Sequence, residues 1–360
     1  MKKRYLIKTA CLIFVLGCSG CHKKSMLFVN AATGNSDAQY RLAMEYFSGG
    51  VGVEKNPQKG LEWLKKSAAQ GNQDAILSLG LAYYTGSGVA RDFKEATHWF
   101  QKSADKANPI GQNYLGVAYL KGQGVEGDAT MAFKLFSKSA EEGNVSAQLN
   151  LGFLYFFGEG VKMNKSEAAN WFLKAAEQNN SIGQYQLGNC YKNGDGLPQD
   201  LTEAANWYSK ASEQGNSDAL FALGEAYRFG QGVELNNQKA FTYYEKSAAE
   251  GNFPALRLLA DSYMSGNGVS QNQEKGIEFL KKAAEMGDPG SQYRLGMAYL
   301  HGLGVKKDVV EGLAWLGIAN PNPSFVNPLD APEWHFPSDI ITKAKQRGVE
   351  LQKNLASDTK

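Results

Sequence analysis

Ser103-Ala104-Asp105-Lys106 places a serine and a lysine at the Ser-x-x-Lys spacing of an acylating serine. Ser357-Asp358-Thr359-Lys360 has the same spacing. The four histidines (His22, His98, His301 and His335) stand at no zinc-type spacing with another ligand. Gly-x-Gly recurs along the chain, but it follows helical patterns rather than strands and does not form a nucleotide loop. No nucleophile has an evident base, and no paired carboxylates stand outside the pattern described next. The sequence therefore implies no catalytic residues, no cofactor and no metal.

Whether Ser103 is chemical depends on the frame around it. Gly-x-Gly-Val is written eight times, its second glycine at Gly52, Gly88, Gly124, Gly160, Gly196, Gly232, Gly268 and Gly304, each 36 residues after the last. The valine is replaced once, by Leu197. So strict a period marks a stacked repeat. In that register Ser103 shares its column with Ser67, Ser139 and Ser247, and alanine fills other copies. A small packing residue accounts for Ser103 better than a nucleophile does.

One unit, residues 73–108, shows what each copy encodes. Asp74 to Tyr84 reads as a first helix (A), with Ala75, Leu79, Ala82 and Tyr83 on one side. The glycines of the loop end it and turn the chain. Asp92 then caps a second helix (B), and its column, Asn56, Asp92, Asp128, Asn164, Asp200, Asn236, Asn272 and Asp308, holds only Asn or Asp. A further column, Asn72 to Asp288, caps each following A helix. Within helix B a small column (Gly60, Ala96, Ala132 and onward) faces close neighbours, and a large one (Trp63, Trp99, Leu135, Trp171, Trp207, Tyr243, Phe279, Trp315) fills the space beside it. Two capped helices per 36 residues leave room for an all-α solenoid and little else.

The pattern Ala-x-x-x-Leu-Gly-x-x-Tyr-x-x-Gly-x-Gly-Val, then Asp/Asn, Ala, Trp-Phe and Lys-x-Ala, resembles the Sel-1-like repeat, a branch of the tetratricopeptide superfamily. The resemblance covers residues 37 to about 319 and implies a right-handed α/α solenoid (superhelix) of about eight 36-residue helix-turn-helix repeats with a C-terminal capping helix. It also implies a non-enzymatic scaffold or adaptor, with an immunity protein that neutralises a type VI secretion lipase effector as one version. A second class is a penicillin-binding or β-lactamase-like hydrolase, as claimed for cysteine-rich relatives. Those relatives carry a cysteine pair in every repeat, which this sequence lacks.

Residues 1–17 read as a signal: Met1-Lys2-Lys3-Arg4, an apolar stretch from Leu6 to Leu16, then Val15-Leu16-Gly17-Cys18. The last four resemble a bacterial lipoprotein box with Cys18 as the lipidated residue; Cys21 fits less well. Ser19 after Cys18 favours the outer membrane, facing the periplasm, in a Gram-negative cell. The only membrane contact expected is this lipid anchor. Removing residues 1–17 takes four basic side chains and no acid, so the formal charge falls from +2 to −2. That is no nucleic-acid footprint. Of the remaining cysteines, Cys11 leaves with the signal, and Cys21 and Cys190 offer no disulfide framework. Residues 18–36 read as an irregular tether, and 320–360 as a proline-rich loop followed by a capping helix. The aromatics Trp334-His335-Phe336 either belong to that cap or dock a partner.

Projection of helix A with its alanine at zero puts that position plus 4, 7 and 8 in the core. Positions plus 2, 3, 6, 9 and 10 lie opposite, on the face that lines the concave side of related solenoids, and they vary from copy to copy. They give Tyr114, Val117, Leu120, Phe153, Phe156 and Phe157 in the third and fourth copies. In the fifth to seventh they give Asn189, Lys192, Asn193, Glu225, Arg228, Phe229 and Asp261. Apolar anchors beside charged positions on one surface point to a protein partner. The opposing reading has Phe153 and Phe156 packing between repeats.

Overall fold

The computed structural model describes residues 19–50, 53–319 and 336–357, with side chains from 26 to 355. Among these residues every regular element is helical. The chain divides into two compact units, Met1–Trp171 and Phe172–Lys360. The first holds α1 (Ser19–Ala32), α2 (Ser36–Ser48), α3 (Pro57–Ala69), α4 (Gln73–Thr85), α5 (Phe93–Asp105), α6 (Pro109–Lys121), α7 (Ala129–Glu141), α8 (Val145–Phe157) and the start of α9 (Lys165–Glu177). The second continues with α10 (Ser181–Asn193), α11 (Leu201–Glu213), α12 (Ser217–Phe229), α13 (Asn237–Ala249), α14 (Phe253–Ser265), α15 (Gln273–Glu285), α16 (Pro289–His301), α17 (Val309–Ile318) and α18 (Ser338–Ser357). Within each unit consecutive helices pack on one another, the form of an all-α repeat solenoid.

The side chains that start and stop these helices are the ones in the repeat columns. Asn72 Oδ1 accepts the Ala75 N–H at 2.9 Å, and Asp92 Oδ1 accepts those of Lys94 and Glu95 at 2.9 and 3.1 Å. Gly86, at φ +79°, ends α4 in the left-handed region. The second loop glycine has a further task. A Cβ on Gly88 would collide with the Pro57 carbonyl oxygen, and one on Gly124 with that of Phe93. The loop thus lies directly on the first turn of the preceding B helix. The valine beside it enters the core: Val89 packs with Leu61, Leu64, Ile76 and Leu79.

A buried helix B ring fills the α4–α5, α6–α7, α10–α11 and α12–α13 hairpins. Phe100, Phe136, Tyr208 and Tyr244 are all at most 2% exposed. A glycine on the facing A helix makes room: a Cβ on Gly116 would stand 2.6 Å from the Phe136 ring, and one on Gly224 2.6 Å from that of Tyr244. Burying one such ring contributes about 1.5–3 kcal/mol.

Both ends of the array depart from a simple reading. Residues 18–36, expected as an irregular tether, contain α1. Its Leu27, Phe28 and Ala31 share one helical face and pack on Ala38, Leu42, Tyr46 and Trp63, with Phe28 edge-on to Tyr46 at 6.4 Å. The reason is the open apolar end of the first repeat, which only another helix can cover. Cys18 and the signal stretch lie outside the described residues, as do Trp334 and His335. Phe336 packs with Leu300, Leu313, Leu316, Ile340 and Ala344, so it belongs to the seat of α18 on α17. Val349 faces solvent.

Candidate protein-binding surface

In the first unit the six apolar positions separate into two groups. Tyr114 is half-buried, stacked on Phe100 with centroids 5.0 Å apart and planes at 17°. Val117 and Leu120 are half-buried against the cluster of Phe136, Leu151 and Leu154. These three join one repeat to the next as well as lining the surface. Phe153, Phe156 and Phe157 form an aromatic cluster at the end of α8. Phe153 stacks with Phe157 at 6.4 Å, and Phe156 meets Phe157 edge-on at 5.1 Å. The Lys165 ammonium lies 5.3 Å from the Phe156 centroid. Phe157 is 69% exposed, a large ring that the unit itself does not cover.

In the second unit the polar positions are engaged with one another and with buried tyrosines. Asn189 Oδ1 accepts the Tyr208 hydroxyl at 2.7 Å. Glu225 accepts the Tyr244 hydroxyl and pairs with Arg228 at 3.5 Å. The Arg228 guanidinium also lies 4.9 Å over Phe229, which is 55% exposed. Asp261 pairs with Arg294 of the next A helix. Lys192 is half-buried beside Tyr208 and Leu201, and Asn193 is exposed. Arg228, Tyr244 and Asp261, with Asn237, Ser262 and Ser265, line one polar cleft. Burial raises the phenol pKa of Tyr208, with Tyr185 and Cys190 adding to it; burial raises that of Tyr244 too, and the hydrogen bond to Glu225 adds.

The two groups follow one rule across the hairpin. The plus 6 position of helix A faces the buried ring of helix B nineteen residues on. Tyrosine in helix B goes with a polar plus 6 residue (Asn189, Glu225). Phenylalanine goes with an apolar one: Leu81 stands opposite Phe100, and Val117 opposite Phe136. A buried hydroxyl needs an acceptor, so the ring type decides the character of the surface above it.

Ser103 is 2% exposed, while Lys106 is an exposed residue past the end of α5. The two are not brought together as an attacking pair. Ser67 and Ser139, in the same column, donate to the carbonyls of Ser36 and Pro109 at 2.7 and 2.5 Å, whereas the Ser103 hydroxyl has no partner. Among the described residues no group of three His, Cys, Asp or Glu stands where it could hold a metal ion. No described helix is long and apolar enough to cross a membrane.

Three residues of these surfaces were missed. Arg294, at plus 3 of the eighth copy, is the ion-pair partner of Asp261. Asn113 and Asn150 bond to each other between α6 and α8 at 2.9 Å. All three fall at plus 2 or plus 3, so the projection itself contained them.

The family model described as Sel1 repeat matches residues 36–72, 73–108, 109–144, 145–180, 181–216, 217–252, 254–288 and 289–319. No curated protein matches the chain. Among solved structures, a Sel1 repeat protein from Oxalobacter formigenes is 29% identical with a TM-score of 0.67, covering 84% of this chain and 87% of its own. A protective antigen of uropathogenic Escherichia coli strains, described as displaying an SLR fold, is 26% identical with a TM-score of 0.43, covering 93% and 95%. An immunity protein from Pseudomonas aeruginosa is 22% identical with a TM-score of 0.39, covering 60% and 81%.

Proposed function

The chain belongs to the Sel1 repeat family, and we propose that it is a non-enzymatic scaffold that binds a protein partner on the variable faces of its A helices. The observation that carries this is the contrast between columns. Caps, loop glycines and core positions are nearly uniform, while the A-helix faces change from copy to copy and present the Phe153, Phe156 and Phe157 cluster in one unit and Arg228, Phe229 and Asp261 in the other. Exposed aromatic rings supply affinity and charged side chains select the partner.

The finer reading places the protein in the periplasm of a Gram-negative cell, tethered to the outer membrane by lipid on Cys18. Its task there is that of an immunity protein that neutralises a lipase effector of a type VI secretion system. The signal-like stretch ending at Cys18 supports the placement, and the exposed aromatic and charged side chains of the A-helix faces support a protein as the partner. The partner-binding test uses a soluble chain starting at Ser19 to capture partners from the cell envelope. Phe153→Asp with Arg228→Glu must release the captured partner, and retention of every partner sinks the A-helix assignment. For the finer reading, full-length protein must protect cells that express a periplasmic lipase effector, and Cys18→Ala must weaken that protection.

A further inference from the structure

Helix α1 has the register of a B helix. Ala31, Gly34, Asn35 and Asp37 stand where Ala68, Gly71, Asn72 and Asp74 close helix B and open the next helix A one copy later. The geometry follows the sequence. Gly34 and Gly71 both lie in the left-handed region, at φ +99° and +84°. Asn35 Oδ1 accepts the Ala38 N–H at 2.8 Å, as Asn72 Oδ1 accepts that of Ala75 at 2.9 Å. In this register Met26 and Val29 occupy the places of Trp63 and Lys66.

The second of those places is a column of charge. It holds lysine in every copy from Lys66 to Lys282. Lys66 and Lys102 are exposed, their ammonium groups 4.2 and 4.1 Å over Trp63 and Trp99. The column turns apolar only at its two ends, at Val29 and Ile318. Ile318 is half-buried under α18, in a cluster with Leu351. Val29 is 58% exposed, and Met26, one turn before it, is 54% exposed. At the C-terminal end of the array a helix covers the apolar residue, whereas at the N-terminal end it is left open.

Chain order points to the cover. α1 begins at Ser19, directly after Cys18, and Met26 is about 10 Å along the axis from that first residue. Residues 18–36 hold Lys23 and Lys24 and no acid, so the charge of this stretch complements lipid phosphate. Resting on the lipid-anchor reading above, we propose that α1 lies on the bilayer surface to which Cys18 is tethered, with Met26 and Val29 at the acyl boundary. The first unit is then seated in one orientation rather than hung from a flexible linker. Two apolar side chains alone would not hold a protein on a membrane. Beside a covalent anchor the contact is intramolecular, so a weak one suffices to set orientation.

The test uses full-length protein extracted with its anchor and reconstituted in vesicles of phosphatidylethanolamine and phosphatidylglycerol. A mass spectrum reports the lipid on Cys18. An environment-sensitive fluorophore is placed at Val29→Cys and, in separate chains, at the equivalent Lys66→Cys and Lys102→Cys. Cys21→Ser is common to all three, and Cys190 is buried and stays unlabelled. The labelled positions are exposed, so the melting curves should match one another. Nitroxide-bearing lipid should quench the fluorophore at residue 29 about twofold or more over that at 66 or 102. Met26→Glu should abolish that excess and leave the melting curve unchanged. Equal quenching at the three positions, with lipid found on Cys18, overturns the seating and leaves the anchor reading intact. No lipid on Cys18 removes the anchor and the seating with it. If the fluorophore at 29 becomes shielded without vesicles as the concentration of a soluble chain from Ser19 rises, a second copy is the cover and the proposal falls.

Discussion

The Tyr208 hydroxyl donates to Asn189 Oδ1 at 2.7 Å across the α10–α11 hairpin, and one repeat later Tyr244 does the same to Glu225. A residue chosen for the core thereby fixes the polarity of a residue on the surface. We expect Tyr208→Phe alone to destabilise the second unit by about 1 kcal/mol, because Asn189 Oδ1 loses its donor. Tyr208→Phe with Asn189→Leu restores the pairing found at Phe136 and Val117 and should recover most of that loss. Urea denaturation of the parent, Tyr208→Phe, Asn189→Leu and the double variant decides it. A double variant as unstable as the two losses added means the pair is not coupled.

The same tyrosines set an alkaline limit. Burial, the leading cause at both, holds their phenols protonated above the ordinary value of 10.0. The unfolded chain loses those protons near pH 10 while the folded chain keeps them. The stability they contribute is therefore fully present below that pH and is lost progressively as pH rises above it toward the folded-state value. Urea midpoints should start to fall at about pH 10 and fall more steeply above it, and the fall should be shallower in Tyr208→Phe/Tyr244→Phe. An unchanged slope in the double variant assigns the alkaline loss elsewhere.

How far the sequence carried the reading depends on whether a feature is local. Caps, turns and the strict period are local, so the frame of eight hairpins was legible from Gly52 to Gly304. Tyr114 was not: a one-helix projection puts it on the outer arc, but it stacks on Phe100 of the preceding helix, a contact set by how repeats nest. The same arc held Asn113 and Asn150, yet only their packing shows that they meet. Helix α1 was hidden for another reason. Among its described side chains the packed apolar face is Leu27, Phe28 and Ala31, too short a signal until the open end of the first repeat supplies its partner.

Ser103 and Ser139 occupy one column but have opposite environments, and substitution should separate them. Ser139→Ala removes the bond to the Pro109 carbonyl and should cost about 1 kcal/mol. Ser103→Ala removes a buried hydroxyl with no partner and should be neutral or stabilising by up to about 1 kcal/mol. Thermal melts of both give the signs directly. A destabilised Ser103→Ala chain that also lost turnover of a β-lactam would return Ser103 to chemistry.

The loop glycines should divide in the same way. Gly71 (φ +84°) has nothing within 4 Å of a built Cβ, so Gly71→Ala meets only the left-handed backbone cost of about 1–2 kcal/mol. Gly124 (φ +77°) bears the same strain, and its Cβ would also strike the Phe93 carbonyl. Gly124→Ala should therefore cost several kcal/mol more than Gly71→Ala, because backbone cannot step aside as a side chain can. Equal losses in denaturant midpoint would mean that the loop moves off the preceding helix at little cost.

At the far end Glu311 holds α18 to α17: it accepts from Arg347 at 2.7 and 3.3 Å and from Trp315 Nε1 at 3.1 Å. The Arg347 side chain is 39% exposed, so solvent screens much of the pairing, and Arg347→Leu should cost no more than about 1 kcal/mol. Ala344 is a different matter, because it is fully buried beside Leu313 and Leu316. Ala344→Asp sets an unpaired carboxylate there, and the helix should detach before the charge is buried. Hydrogen exchange should then show α17 and α18 losing protection together in Ala344→Asp, with the α12–α13 hairpin unchanged. If α17 kept its protection after α18 had lost its own, the capping role would belong to residues before α18, and the exposed apolar face of α17 would need another cover.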